Sequence, residues 1–338
     1  MTNDPPDNAV VVHELERCFG SFIAVNRLSF SVAKGEIFGF LGPNGAGKST
    51  TIRMLCGILK PTSGGGTVAG FDIRTQAEQI KTHIGYMSQR FSLYEDLTVE
   101  ENIDFYSGIY CIPSEKKRSR KEWVIEMAGL SGRRRALTGT LSGGWKQRLA
   151  LGCAILHEPP VLFLDEPTSG VDPNSRRRFW DLIYELAGQG VTVFVTTHYM
   201  DEAEHCDRLA LIYRGELIAS GAPQTLKAQA VPDVILEVDC ERPLEAIEKN
   251  ESPTSVESTE NFQSAQLPPG IHGMTLYGNG LHVTTRDPSV APALRRFLDA
   301  HGHRVTRIEP ISPSLEDVFV SLIARHDRSH PPLTEVRR

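Results

Sequence analysis

Residues 38–55 read FGFLGPNGAGKSTTIRML: an apolar run, three glycines within six positions, then a helical pattern headed by Lys48 and Ser49. Gly42, Pro43, Asn44, Gly45, Ala46, Gly47, Lys48 and Ser49 together fit G-x-x-x-x-G-K-[ST]. In such a loop bare backbone amides curl round phosphate oxygens with no Cβ in the way. A helix starting near Gly47 aims its unpaired N–H groups at the same anion. Lys48 adds a compact charge suited to β- and γ-phosphates, and Ser49 a hydroxyl suited to Mg²⁺. Hydrogen bonds to charged groups contribute about 1.5–3 kcal/mol, against about 0.3–1 kcal/mol for a helix dipole. Lys48 therefore outweighs any single amide.

A phosphate loop needs a metal partner and a group that activates water. The run VLFLDEP supplies both in adjacent positions. Asp165 ends a buried strand, where ligands collect in an open α/β sheet, and can hold Mg²⁺; Glu166 can polarise the attacking water. These two motifs alone would fit a kinase, a GTPase or a motor. TLSGGWKQRLALGCAIL narrows the choice. Ser142 is a good N-cap, Gly143 and Gly144 bare the backbone, and a helix follows. That is a second anion-binding helix end, far along the chain from the first. One nucleotide cannot easily occupy both, but two copies placed head-to-tail would let each close over the other's nucleotide.

In this order the motifs resemble the ATP-binding subunit of an ABC transporter, over about residues 10–223. Residues 42–49 match the Walker A loop, Gln89 in YMSQ the Q-loop glutamine, residues 141–144 the signature, and Asp165-Glu166 the end of Walker B. SGVD, ending at Asp172, resembles the D-loop, and His198 in TTH stands at the switch-histidine position. Phe19 in ERCFGSF matches the aromatic that stacks on adenine, in place of the usual tyrosine, and Trp145 stands where the signature glutamine usually is. The resemblance implies ATP and Mg²⁺ as ligands. It assigns Phe19, Gly42, Pro43, Asn44, Gly45, Ala46, Gly47, Lys48, Ser49, Thr50, Gln89, Ser142, Gly143, Gly144 and Asp172 to the nucleotide. Ser49, Gln89 and Asp165 fall to the metal, and Glu166 and His198 to catalysis.

The same resemblance implies an ATPase that powers export of a drug-like or lipophilic substrate through a separate membrane permease, working as a homodimer at the cytoplasmic face of the membrane. The cassette, the motif wording and the C-terminal LEDVF helix carry the export reading. Importer ATPases share the core motifs and stay open as an alternative. Soluble ABC ATPases acting on ribosomes or nucleic acid usually carry two cassettes or coiled-coil insertions, and neither is visible. A binding module that no longer hydrolyses is disfavoured by intact Asp165, Glu166 and His198.

The elements that must position these groups alternate between strand and helix. AVVVHEL and LSFSVAKGEIFGFLG read as strands, the second broken at Lys34-Gly35. Residues 48–59 read as a helix that stops at Pro61 and the glycines 64–66. HIGYMSQ is a short strand, and residues 98–156 are mostly helical, interrupted at Pro113 and Gly132. PVLFLDEP and VTVFVTTH, separated by a helix over 175–187, are near-continuous apolar runs, as in a parallel sheet buried on both faces. The expected fold is α/β: a P-loop NTPase (RecA-like) ABC ATPase core with antiparallel β and α-helical subdomains, plus a small C-terminal α+β domain. The nucleotide-binding domain is expected over 10–228, its helical subdomain over about 92–157, the accessory domain over 229–325 and a flexible tail over 326–338. The accessory order, with a short helix near 243–249 and a polar connection over 251–270, suggests a ferredoxin-like unit.

With 338 residues, 40% hydrophobic and 23% charged, the chain is long enough for about two domains with sizeable cores. A net charge of −6 disfavours nucleic acid as a partner. The basic runs SEKKRSRK, 133–135 and 176–178 lack interleaved aromatics and read as solvated helix faces, near anionic lipid or a partner. The six cysteines form no CxxC pair, so reduced thiols are expected. The N-terminus carries no basic start and apolar run, so no export signal is expected. No window reaches about 18 apolar residues, so a partner must supply the membrane. The stretch 92–102 falls where the family receives a coupling helix from the permease, and Thr98 with Glu101 fits a capping box.

Overall fold

Alternating apolar residues between 8 and 33 make two long strands, β1 (Asn8–Phe19) and β2 (Phe22–Ala33), paired antiparallel across a tight turn at Gly20. The computed structural model describes residues 7–230, 234–240, 267–277, 280–301 and 303–329. The chain divides into two units, Met1–Pro223 and Gln224–Arg338.

In the first unit, β3 (Ile37–Leu41) precedes α1 (Lys48–Leu55), β4 (Ser63–Val68), β5 (Phe71–Asp72), α2 (Ala77–His83) and β6 (Ile84–Met87). Three helices follow: α3 (Val99–Ile109), α4 (Ser114–Met127) and α5 (Gly143–Ala154). Then come β7 (Val161–Asp165), α6 (Pro173–Gly188), β8 (Thr192–Thr197), α7 (Met200–Ala203), β9 (Arg208–Tyr213) and β10 (Glu216–Gly221). One sheet is antiparallel, in the order β2-β1-β4-β5; the other has six strands, β10-β9-β3-β8-β7-β6, parallel except for β10. Phe30 of β2 packs on Phe38, Phe40 and Phe194 of the parallel sheet with ring centroids 5.6–6.1 Å apart, joining the two sheets in one core. The helices α3, α4 and α5 enclose a separate core around Val99, Ile103, Val124, Ile125, Leu149 and Leu156. The capping box of α3 is present, with Thr98 and Glu101 exchanging hydrogen bonds.

The second unit holds α8 (Pro223–Ala230), β11 (Val234–Cys240), β12 (Ile271–Tyr277), β13 (Gly280–Thr285), α9 (Ala291–Ala300), β14 (Val305–Ile311) and α10 (Leu315–Ser329). Its sheet is antiparallel in the order β12-β13-β11-β14, the order of a ferredoxin-like unit, with α9 crossing from β13 to β14. The helix expected near 243–249 and most of the polar connection lie outside the described residues. Of the expected tail, residues 326–329 belong to α10, and 330–338 lie outside the described residues.

One local expectation differs. The helix after the loop stops at Leu55 rather than 59, because Gly57 turns left-handed (φ 67°) and the chain leaves the helical path. LSFSVAKGEIFGFLG breaks at Lys34-Gly35 as expected, and its two halves join different sheets. The glycines 64–66, marked in the sequence only as a stop to the preceding helix, lie in β4, where the main chain presses on β1: a Cβ on Gly64 would stand 1.9 Å from the Glu14 carbonyl oxygen, and one on Gly66 2.2 Å from that of Val11. Gly64→Ala therefore loses about 3 kcal/mol of stability in urea unfolding. Gly20→Ala, equally left-handed but facing open space, loses only about 1 kcal/mol. Equal losses would show that close approach is not what requires glycine in β4.

Candidate functional site

Four neighbouring parallel strands deliver their carboxyl ends to one place. Lys48 and Ser49 follow β3, His198 follows β8, Asp165 ends β7 with Glu166 next, and Gln89 follows β6. The loop of residues 42–49 is shaped by its glycines. Gly47 takes φ 105° at the N-cap of α1, and a Cβ there would lie 2.5 Å from the Ala24 carbonyl oxygen of β2. A Cβ on Gly42 would meet the Ile212 carbonyl oxygen at 2.3 Å. Gly45, also left-handed, and Asn44 sit at the exposed tip. Ala46 is buried; its carbonyl accepts from Gly215, and its N–H donates to Pro43.

Lys48 is buried, 5% exposed. Its Nζ donates to the carbonyls of Gly42 (2.7 Å) and Pro43 (3.1 Å) and pairs with Glu166 Oε1 at 3.2 Å. The second oxygen, Glu166 Oε2, accepts from Gln89 Nε2 at 3.0 Å and faces His198 Nδ1 at 3.3 Å. Ser49 Oγ donates to Asp165 Oδ1 at 3.1 Å. Thus Lys48, Ser49, Gln89, Asp165, Glu166 and His198 form one connected group. Thr50 lies half-buried in the first turn of α1.

Ser142, Gly143, Gly144 and Asp172 form a second group. A Cβ on Gly144 would lie 2.3 Å from Ser175 Oγ and 3.9 Å from Asp172 Oδ2, so the start of α5 packs against the start of α6. Asp172 caps α6 by accepting from Ser175 N at 3.0 Å. The hydroxyl and then the N–H of Ser175 hold its carboxyl below the usual carboxylate range. Ser142 occupies the N-cap position of α5, but its side chain makes no capping hydrogen bond, contrary to the expectation that it caps the helix. Phe19 sits half-exposed on the β1–β2 turn with the Arg17 guanidinium 4.6 Å from its ring. Trp145 is bracketed by Arg148 at 4.0 Å and Arg133 at 5.2 Å.

Sequence reasoning missed three supports. Gln147, fully buried in α5, donates from Nε2 to the Pro167 carbonyl at 2.9 Å, tying the signature helix to the turn after Glu166. Glu202 is buried beside Arg176 and accepts from Thr168 and Thr197, and burial pushes its carboxyl upward. Thr196 touches both acids of the site. None of the three is marked by a local motif.

A strand-ended loop with a Cβ-free backbone, a buried lysine and a hydroxyl–carboxylate pair defines a P-loop nucleotide-binding protein. The ABC transporter family profile matches residues 25–169, and the C-terminal domain of DrrA1-3-like ATP-binding proteins matches 221–323. The chain is 52% identical over 229 residues to "Probable multidrug ABC transporter ATP-binding protein YbhF" of Escherichia coli (strain K12), covering 68% of this chain and 40% of that protein. It thus spans about two fifths of that relative's length. It is 40% identical over 225 residues to the linearmycin resistance ATP-binding protein LnrL of Bacillus subtilis (strain 168), covering 66% of this chain and 72% of that one. It is 36% identical over 312 residues to the Nod factor export ATP-binding protein I of Burkholderia orbicola (strain AU 1054), covering 92% and 95%. Among solved structures, the ATP binding subunit of an ABC transporter aligns with TM-score 0.60 and 27% identity over 65% of this chain and 92% of that one. The dimeric post-hydrolysis cassette MJ0796 bound to ADP and Pi aligns at TM-score 0.58 and 25% identity, over 63% and 98%. The chain belongs to the ATP-binding proteins of ABC transporters.

The residues fit a nucleotide: the glycine loop runs into the N-terminus of α1 at the ends of the parallel strands, and the Lys48 ammonium is held against the loop's own carbonyls beside Ser49 and Asp165. Lys48→Ala is expected to weaken ATP binding by a factor on the order of 10 to 100, the worth of a charge-assisted hydrogen bond. Fluorescent-nucleotide titration checks it, and unchanged affinity would refute the loop assignment.

Proposed function

We propose that this chain hydrolyses ATP to drive export of a drug-like or lipophilic substrate through a separate membrane permease. Under this reading residues 10–228 are the nucleotide-binding domain, with 92–157 as its helical subdomain, and 229–325 are an accessory domain. Phe19 offers its open ring face to adenine. Residues 42–50 and Lys48 hold the phosphates, and Ser49 with Asp165 takes up Mg²⁺. Bound there, Mg²⁺ neutralises charge on the phosphates. Glu166 orients and deprotonates the attacking water, while Gln89 and His198 hold its carboxylate and report the γ-phosphate. The observation that carries the reading is the Glu166 carboxylate, shared at 3.0–3.3 Å by Lys48, Gln89 and His198. The export sense is drawn from the relatives, whose names speak of multidrug transport, linearmycin resistance and Nod factor export.

Under this reading the permease docks on residues 92–102; these do not line the cleft of about 650 Å³ between the ends of α1 and α2 and the residues joining α3 to α4, which is formed by Ile58, Tyr86, Ile109, Ile112 and His157. Burial lowers the His157 pKa to about 4, and its ring stacks on Tyr110 at 3.8 Å. No helix among the described residues is long and apolar enough to cross a membrane. Under this reading the permease supplies the membrane and the chain sits at its cytoplasmic face. Two chains close head-to-tail over two ATP molecules, the Ser142–Gly144 turn of each completing the other's site.

Two substitutions test this. Glu166→Gln binds ATP but turns over at least about a hundredfold more slowly, as expected when a general base is removed. In size-exclusion chromatography it accumulates as an ATP-bound dimer; wild-type turnover would place the base elsewhere. Ser142→Arg leaves ATP binding by the isolated chain intact and abolishes phosphate release, whereas full activity would rule out the composite site.

A further inference from the structure

In the parallel register of β7 and β8, Asp165 stands opposite Thr196. Thr196 is fully buried, two residues before His198. Its hydroxyl donates to Asp165 Oδ1 at 2.8 Å, the oxygen that also accepts from Ser49. The Leu164 carbonyl lies farther off, at 3.5 Å, so the single hydroxyl proton goes to Asp165. The same Oγ1 accepts the Glu166 N–H at 3.0 Å, and the Thr196 carbonyl oxygen accepts that N–H at 3.1 Å. Glu166 is left-handed, with φ 48°, a conformation that costs a non-glycine residue about 1–2 kcal/mol unless something holds it. One buried hydroxyl thus fixes the plane of one acid and the backbone of the next.

We propose that Thr196 is a positioning residue for the metal end of the site: it orients the Asp165 carboxylate for Mg²⁺ and holds Glu166 at its side. The proposal rests on the reading that Asp165 and Ser49 take up the ion. Valine matches threonine in size and branching but has no hydroxyl, so Thr196→Val removes the two side-chain hydrogen bonds and little else. Partners of this kind, one bond removed from an ion, are worth about 10- to 100-fold in metal affinity.

The test uses the full chain with a non-hydrolysable ATP analogue, with Mn²⁺ standing in for Mg²⁺ and followed by its electron paramagnetic resonance signal. Thr196→Val is expected to weaken Mn²⁺ binding at least about tenfold, while analogue affinity in EDTA stays unchanged. Thr196→Ser, which keeps the hydroxyl, restores Mn²⁺ affinity to near wild type. If the valine variant does not fold, Thr196→Ala, which adds no bulk, reads the same quantity. Wild-type Mn²⁺ affinity in the hydroxyl-less variant, or a serine variant as weak as it, overturns the proposal. A wild-type chain that binds the analogue but no Mn²⁺ overturns instead the assignment of the ion to Asp165 and Ser49.

Discussion

Lys48 and Glu166, each less than a tenth exposed, face each other at 3.2 Å. Taking two charges out of water costs several kcal/mol per ion, and mutual attraction offsets that only when the remaining donors and acceptors are also met. Here they are. Lys48 gives hydrogen bonds to two loop carbonyls and pairs with one carboxylate oxygen, while the far oxygen of Glu166 accepts from Gln89 and faces His198. Lys48, Glu166, Gln89 and His198 each arrive from a different strand end. The pair therefore constrains the sheet as much as the sheet positions the pair: β3, β8, β7 and β6 must lie side by side and end level.

That requirement explains the density of the core behind it. Phe38, Phe40, Phe163 and Phe194 are fully buried, and Phe194 lies 5.4 Å from each of the other three rings. Close packing of this kind transmits small displacements rather than absorbing them. A shift of the strands by a few tenths of an ångström would reach the Ser49–Asp165 and Lys48–Glu166 distances directly. The glycines at 42 and 47 set the opposite boundary, since the loop rests on the Ile212 and Ala24 carbonyls with no room for a Cβ.

The chemistry of this site was legible because it is written locally. A loop of residues 42–49, an acid pair after an apolar run, and a Ser-Gly-Gly helix start each carry their reason within a few positions. The strands of the second unit were legible from their alternation, and their sequence with the helices suggested the order that the sheet has. What escaped depends on partners distant in sequence. Nothing around Gly64 distinguishes a glycine that relieves a cross-strand collision from one that breaks a strand. Ile58 and Leu59 continue the helical spacing of α1 although the chain has already turned at Gly57. Thr196 lies in a run buried on both faces, where periodicity gives no sign of which side chain meets Asp165; only the register of β8 against β7 does.

The two groups of site residues differ in how they spend their polar atoms. Asp172 is used at home, its carboxylate closing the first turn of α6. Ser142, at the equivalent position of α5, makes no such bond, although serine is among the best residues for it and a satisfied cap contributes about 1 kcal/mol. At this helix end Ser142 and Gly143 are both exposed, and Gly143 leaves the approach clear of side chain. Under the proposed function that is the arrangement a shared triphosphate requires: one chain grips the phosphates from the loop side and tolerates a less stable α5 so that its partner can be gripped in turn. Gln147 then has a further use, because its bond to Pro167 links that helix end to the turn carrying Glu166. Under the proposed function this one buried amide would join closure over a neighbour's nucleotide to the posture of Glu166.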